Sequence, residues 1–348
     1  MRPLKLTIQA FGPYLEKHTL DFGPGPEEAP LLIYGPGGSG KTFLINALFY
    51  ALFGLTGLEN NKKSLAGLRN NKAGLETPTE VTLNFQAGNQ HYRVKRHLEL
   101  EACGDHTNHP YCLVTLETLD NEEYIGLTEN EVNFLIEKII GAESRDYISL
   151  MLPSFNNVNP MISIEQGVSK AFLQRIFQAD YLENIWSEIL KQSNIYIKDI
   201  SIENLSFMIP QAGSSDFQDD YYTIALTDNL DSVTITPQSL TKGVMAIVLT
   251  SLHLGIINTL KKNTGSNRTT CLFLDRFLDL LDQPSLKKFA SGIRMHDNNR
   301  IRLILTSSHL QHQPQNFRNS AHQYKLGISA CYQKSVSGTN THTRMVIT

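Results

Sequence analysis

Hydrophobic and polar positions alternate near the start of the chain and then give way to unbroken apolar blocks. Leu4, Leu6 and Ile8 alternate with polar neighbours, as do parts of His18 to Phe22. This predicts two paired strands, with Phe11-Gly12-Pro13-Tyr14 as the turn between them, feeding a third strand across the Pro/Gly-rich loop Gly23 to Pro30. Leu31-Leu32-Ile33-Tyr34 reads as that third, buried strand, and Phe43 to Phe53 as a helix apolar on nearly every side, stopped by Gly54. Val81-Thr82-Leu83-Asn84-Phe85 and Tyr92-Arg93-Val94-Lys95-Arg96 alternate as strands about a turn at Gly88-Asn89, and a further hairpin is expected from His97 to Glu117.

Thr128 and Glu131 have the spacing of a capping box, ahead of Val132, Leu135, Ile136 and Ile139 at helical spacing and a stop at Gly141. Tyr147 to Pro153 is short and apolar, and Ser154 to Pro160 is a polar loop. A helical pattern returns from Val168 to about Lys191, too brief for a coiled coil, and a shorter piece runs through Ile195 to Ile200. Strands are expected between Leu205 and Ile235, notably Tyr222 to Leu226 and Val233 to Ile235. A long helix from Gly243 contains the apolar run Val244 to Leu260, which approaches membrane-spanning length. Its Thr250, Ser251, His253 and Asn258 favour a helix buried inside a globular core, with no membrane. Cys271 to Leu274 is an apolar strand ending in Asp275; Arg302 to Thr306 is another buried strand, and Tyr324 to Gln333 and Thr341 to Ile347 close the chain.

The chemistry sits between the third strand and the first helix. Gly35-Pro36-Gly37-Gly38-Ser39-Gly40-Lys41-Thr42 matches G-x-x-x-x-G-K-[ST] in its proper context, strand before and helix after. Glycines let successive backbone N–H groups turn inward around phosphate oxygens, and the N-terminus of the helix that Phe43 opens adds partial positive charge. This predicts ATP as ligand, with Lys41 on the β- and γ-phosphates and the Thr42 hydroxyl on Mg²⁺. Asp275, an acid at the end of an apolar strand, is the expected second metal residue, opposite Thr42.

Composition adds little. The chain has 348 residues, 41% hydrophobic and 19% charged, enough for one large or two modest domains. A net charge of −3 gives no general attraction to nucleic acid. Four scattered cysteines make no disulfide framework, and with no apolar leader the expected location is the cytoplasm. Lys62, Lys63, Arg69 and Lys72 could lie along a phosphate backbone, although a solvated loop explains the same residues. Cys103, His106, His109 and Cys112 are zinc-type ligands, but their even spacing lacks the two separated pairs of a structural site, so the segment reads as a polar loop.

The order of parts resembles the ATPase head of the SbcC family, the ABC-type subunits of the SbcCD DNA-repair nuclease, related to the SMC proteins. The similarity begins at Met1 to Leu6 and Phe11 to Tyr14, passes through the phosphate loop, and includes Leu68-Arg69-Asn70-Asn71-Lys72-Ala73 and Tyr92 to Arg96. It resumes at Leu152-Pro153, Gln174 to Tyr181 and from Ser239 onward. The resemblance implies an α/β P-loop NTPase of ABC-ATPase head type, two lobes with mixed β-sheets and flanking helices, here 1–190 and 191–348. In the family a long coiled coil with a zinc hook separates two half-heads; here they join directly near Ser187 to Ile200.

The resemblance also exposes departures at the expected catalytic positions. Ser154 stands where family heads carry the Q-loop glutamine, and Leu240-Thr241-Lys242-Gly243-Val244 where they carry the Leu-Ser-Gly-Gly-Glu signature offered to the opposite head's γ-phosphate. Arg276 replaces the glutamate that polarises water; a guanidinium cannot accept a proton. Asp282 matches the D-loop, Asp279 is displaced from the glutamate position by about one helical turn, and His309 matches the switch histidine. These features imply an ATP-binding head with weak or absent hydrolysis, pairing with itself or another head, beside an SbcD-like nuclease and reaching DNA through that complex. The alternatives are an active ATPase with substitute groups, a RecF-like DNA-binding protein and a decayed pseudoenzyme.

Overall fold

The computed structural model describes residues 1–23, 30–54, 65–101, 109–120, 123–126, 128–155, 159, 161–163, 166–201, 204–210, 220–235, 239–266, 269–295, 301–308, 322–329 and 342–347. The first strands, β1 (Arg2–Gln9) and β2 (His18–Asp21), pair antiparallel as expected. They do not share a sheet with β3 (Leu31–Tyr34), the strand that precedes the phosphate loop. Helix α1 (Lys41–Phe53) follows that loop, then one turn, α2 (Leu65–Leu68).

Four more strands, β4 (Thr79–Ala87), β5 (Gln90–Glu101), β6 (His109–Thr118) and β7 (Glu123–Gly126), complete a six-stranded antiparallel sheet in the order β2-β1-β4-β5-β6-β7. Alternation builds this sheet: Val81, Leu83 and Phe85 of β4 are buried while their neighbours face outward. The expected third hairpin is β5 continued, since the strand runs unbroken through His97 to Glu101 before β6.

Helix α3 (Glu129–Ile140) starts as its capping residue dictates, with Thr128 accepting from the Glu131 N–H, and stops at left-handed Gly141. The apolar piece that follows is helix α4 (Ser144–Met151). Short strands β8 (Ile162–Ser163) and β9 (Gly167–Ser169) lead to α5 (Lys170–Phe177) and α6 (Glu183–Ile200). The continuous helix expected from Val168 to Lys191 is therefore wrong: Gln178 takes a left-handed φ of 50° and ends α5. Arg175 holds α5 to α4 by a two-pronged ion pair with buried Asp146.

Beyond α6 come β10 (Leu205–Phe207), β11 (Tyr221–Tyr222), β12 (Leu226–Asp228) and β13 (Val233–Ile235). The strand expected over Tyr222 to Leu226 is two, because β11 joins β8 and β9 while β12 sits between β10 and β13. Helix α7 (Lys242–Thr264) is the long apolar helix, and it is buried within the protein. Then follow β14 (Thr270–Leu274), a 3-10 turn at Phe277–Leu280, α8 (Gln283–Met295), β15 (Ile301–Ser307), β16 (His322–Ser329) and β17 (His342–Ile347).

Two findings place the site. The five-stranded sheet runs β14-β15-β3-β16-β17, so the strand before the phosphate loop lies between strands from the far end of the chain. The other is that α6 crosses residue 190 without a break, so the expected boundary between lobes falls inside a helix. That helix packs closely. A Cβ on Gly255 of α7 would come 2.1 Å from Ser193 Oγ, and one on Gly292 of α8 would come 2.1 Å from the Asp199 carbonyl oxygen. The glycines let α7 and α8 close onto α6, and the two expected halves share one core.

Candidate nucleotide site

The phosphate loop connects the buried end of β3 to the start of α1, and its backbone explains its glycines. Gly38 and Gly40 take left-handed φ values of 77° and 88°. Gly40 is also pressed by Tyr14, whose hydroxyl donates to the Gly40 carbonyl oxygen at 3.0 Å; a Cβ there would come 2.7 Å from that hydroxyl oxygen. Beside Gly37 and Gly38 the space is open to 4 Å. The first N–H groups of α1 have no partner within the helix, so they converge with the helix dipole on the loop.

Lys41 is only 5% exposed. Its ammonium donates to the carbonyl oxygens of Gly35 at 2.6 Å and Pro36 at 2.9 Å, and to Ser39 Oγ at 3.3 Å. Burial lowers its pKa, while Asp279 and then Asp275 pull it back up. Thr42 Oγ1 donates to Asp275 Oδ2 at 2.8 Å, bringing together the two residues expected at the metal across 233 positions of sequence. The other carboxylate oxygen, Oδ1, accepts from Thr306 Oγ1 at 2.6 Å. A hydroxyl and a carboxylate are hard oxygen donors that suit Mg²⁺, and the open ring of donors at the helix start suits a phosphate chain.

Two segments of the family resemblance are one structure beside this loop. The Gly12 N–H donates to the Leu68 carbonyl oxygen at 2.7 Å, the Asn70 N–H to that of Ala10 at 2.8 Å, and the Asn70 side chain to that of Gly12 at 2.7 Å. Left-handed Gly12 lies under the ring of Phe43, where a Cβ would clash at 2.4 Å. Arg69 donates to the Thr77 and Gly74 carbonyl oxygens and to Thr79 Oγ1, so its fork organises its own loop. A third segment supplies Arg96, which donates to the carbonyl oxygens of Ala51 and Leu52 in the last turn of α1. Its positive charge at a helix C-terminus stabilises the helix that carries Lys41 and Thr42.

The remaining expected positions divide. Arg276 follows Asp275 in a left-handed conformation, φ 57°, and its side chain is 60% exposed. Ser154 lies just past α4; its neighbour Phe155 packs on Phe277 at 5.5 Å between ring centroids, which brings the loop to the turn after Asp275. Thr241 caps α7, accepting from the Val244 N–H at 3.3 Å, and exposed Lys242 is the first residue of the helix. Gly243 has a packing reason, since a Cβ would come 2.8 Å from the Leu280 carbonyl oxygen. Asp282 accepts from the Ser285 N–H at 2.9 Å, and hydrogen bonds from Ser285 hold its carboxyl below the usual range.

His309, Lys62, Lys63, Cys103 and His106 lie outside the described residues, as does the side chain of His109. Cys112 is exposed, and among the described residues no cluster of three or more metal-type ligands occurs.

A family model described as an AAA domain matches residues 5–220, more than half of the 348-residue chain. The chain belongs to this family, and its similarity is to SbcC proteins and to SMC heads. The SbcC component of the nuclease SbcCD from Staphylococcus epidermidis is 26% identical over 211 residues, covering 59% of this chain and 21% of that protein. Its counterpart from Staphylococcus aureus strain MRSA252 is 29% identical over 206 residues, covering 59% of the chain and 20% of that protein. The head thus spans about a fifth of the length of the curated relatives it matches. Among solved structures, an SMC head bound to the C-terminal winged-helix domain of ScpA superposes with a TM-score of 0.65 at 13% identity, covering 100% of this chain and 98% of that one. An SMC head with an extended coiled coil, bound to the C-terminal domain of ScpA derived from Pyrococcus furiosus, gives 0.64 at 11%, covering 99% and 96%. These likenesses establish the fold as an α/β ATPase head.

Asp279, Thr306, Ser307 and Ser308 are polar residues at the site to which sequence reasoning gave no role. A run of hydroxyls closing a buried strand, Thr306-Ser307-Ser308, was the available signal. Nothing in the sequence marks the direction in which Asp279 points.

Proposed function

We propose that this head binds ATP with Mg²⁺ through Gly35 to Thr42 and Asp275, hydrolyses it slowly or not at all when alone, and serves as an ATP-gated regulatory or structural subunit. Lys41 would neutralise the phosphates, the loop N–H groups would orient them, and Thr42 and Asp275 would hold the metal. Mg²⁺, when bound, supplies a Lewis acid that polarises the phosphate oxygens. The observation that carries weak hydrolysis is Arg276: the residue after Asp275 is a solvent-facing cation with no proton-accepting atom. Losing a positioned base costs about 10²–10⁴-fold in rate. Lys242 and Ser154 support the same reading, since neither preserves the group expected at its position.

The partner reading follows the names of the relatives. An SbcD-like nuclease, a second head of the same or another kind, and DNA reached through that assembly form the proposed context. A second reading, an active ATPase, is favoured by Asp279, an acid within one turn of Arg276 whose charge acts on Lys41.

Steady-state ATP hydrolysis across a protein concentration series, beside Lys41→Ala and Arg276→Glu, separates the two. The weak-head reading expects a silent native chain and Lys41-dependent turnover gained by Arg276→Glu. Native turnover abolished by Lys41→Ala selects the active enzyme.

A further inference from the structure

The turn after Asp275 carries an acid that the proposed metal site does not use. Asp279 sits in the 3-10 turn Phe277–Leu280, but its side chain bonds to another strand. Its Oδ1 accepts from Ser307 Oγ at 2.9 Å, at the end of β15, and from the N–H of Ser308, the next residue, at 2.8 Å. Its Oδ2 lies 3.1 Å from the same N–H and 3.9 Å from Arg276 Nε. A carboxylate that merely capped its own turn would bond to N–H groups of that turn.

The connections continue on both sides. The Ser307 carbonyl oxygen accepts the N–H of Gly35, the first residue of the phosphate loop, at 3.2 Å. On the other side the Arg276 N–H donates to Thr306 Oγ1 at 2.8 Å, Thr306 donates to Asp275, and Asp275 accepts from Thr42, the last residue of the loop. A chain of polar contacts thus runs from one end of the loop to the other, and Asp279 joins the Arg276 N–H in tying this turn to the end of β15.

We propose that Asp279 is a positioning residue of the nucleotide site: its carboxylate fixes the end of β15 against the phosphate loop, and its charge makes tight triphosphate binding conditional on a divalent cation. This rests on reading the loop as an ATP site. Asp279 and Asp275 together place two negative charges beside a ligand that is itself anionic, and like charges in a partly buried site repel unless a cation intervenes.

The test is ATP binding by calorimetry at constant ionic strength, in Mg²⁺ and in EDTA, for the native head, Asp279→Asn, Asp279→Ala and Ser307→Ala. Asparagine keeps an oxygen that accepts from Ser307 and Ser308 and removes the charge, at the cost of the longer contact from the Ser308 N–H to Oδ2. Asp279→Asn is expected to bind ATP in EDTA about 10-fold more tightly than the native head while changing by less than about 2-fold in Mg²⁺. Asp279→Ala, which also loses the anchor, is expected to bind more weakly than Asp279→Asn in both buffers. Ser307→Ala keeps the charge, so its ratio of Mg²⁺ to EDTA affinities should match the native head's while both affinities fall, which keeps the idea testable if an Asp279 variant does not fold. An unchanged ratio in Asp279→Asn, or Asp279→Ala equal to Asp279→Asn throughout, overturns the proposal alone. ATP binding indifferent to Lys41→Ala overturns the ATP-site reading, and this proposal with it.

Discussion

Lys41 and Lys242 stand at the starts of two apolar helices, in opposite surroundings. Lys41 is buried, and its ammonium is held by the backbone of its own loop; Lys242 is exposed at the first residue of α7. Around Lys41, residues from β3, α1, β14 and β15 complete one another within a single chain. Around Lys242 the described contacts are a cap from Thr241 and the close approach of Gly243 to Leu280. The first region contains the donors and acceptors its proposed ligand needs. The second is a surface whose proposed ligand belongs to another head, so its chemistry is legible only by analogy.

The largest effect should separate the two regions outright. Lys41→Ala is expected to weaken ATP binding on the order of 10²-fold, since charge-assisted hydrogen bonds to phosphate are the strong ones. Lys242→Ala should leave binding by a monomeric head unchanged; calorimetry at low protein concentration decides, and equal losses would erase the distinction.

A second effect tests the core that joins the regions. His253 of α7 is 1% exposed, with Nδ1 2.8 Å from the Leu150 carbonyl oxygen of α4, and burial pushes its pKa down to about 4. The folded value lies below the unfolded ~6.5, so the stability it carries is complete above pH 6.5 and falls as pH drops toward 4, by about 3 kcal/mol. Urea unfolding at pH 7 and 4.5 should show this loss, and a His253→Gln variant should show less of it. An identical pH slope in the variant would assign the acid sensitivity elsewhere.

Gly243→Ala sharpens the comparison, because Gly243 is where α7 touches the turn that carries Asp279. The added methyl meets backbone, and overpacking of that kind costs about 2 kcal/mol. A lowered melting temperature together with weaker ATP binding would mean the regions are mechanically linked; a lowered melting temperature alone would mean they are not. The smallest change is Thr241→Ala, which removes the α7 cap at about 1 kcal/mol and should leave ATP affinity untouched.

Much of this molecule was legible residue by residue. The phosphate loop, the caps at Thr128 and Gly141 and the buried α7 were readable, because each depends on local backbone geometry or on a motif whose spacing is short; Thr42 and Asp275, 233 positions apart, were expected together only from the general form of phosphate-loop proteins. The break between α5 and α6 was not, since a left-handed Gln178 interrupts a pattern that remains apolar at helical spacing. The division of Tyr222 to Leu226 between two sheets was also hidden, because alternation predicts a strand but not its partner.

What the sequence by itself determined is the kind of site: a glycine-rich turn between strand and helix, a lysine and a threonine at its end, an acid after an apolar strand and an arginine where a base is expected. Tertiary structure alone decided how these are assembled. It placed β3 between β15 and β16, drew Ser307 onto both Gly35 and Asp279, and packed α6 so closely against Gly255 and Gly292 that the two halves share one core. The physical reason is range. Propensity, capping and motif spacing act over a few residues, whereas strand order, the direction of a carboxylate and the approach of two helices follow from contacts between residues hundreds of positions apart.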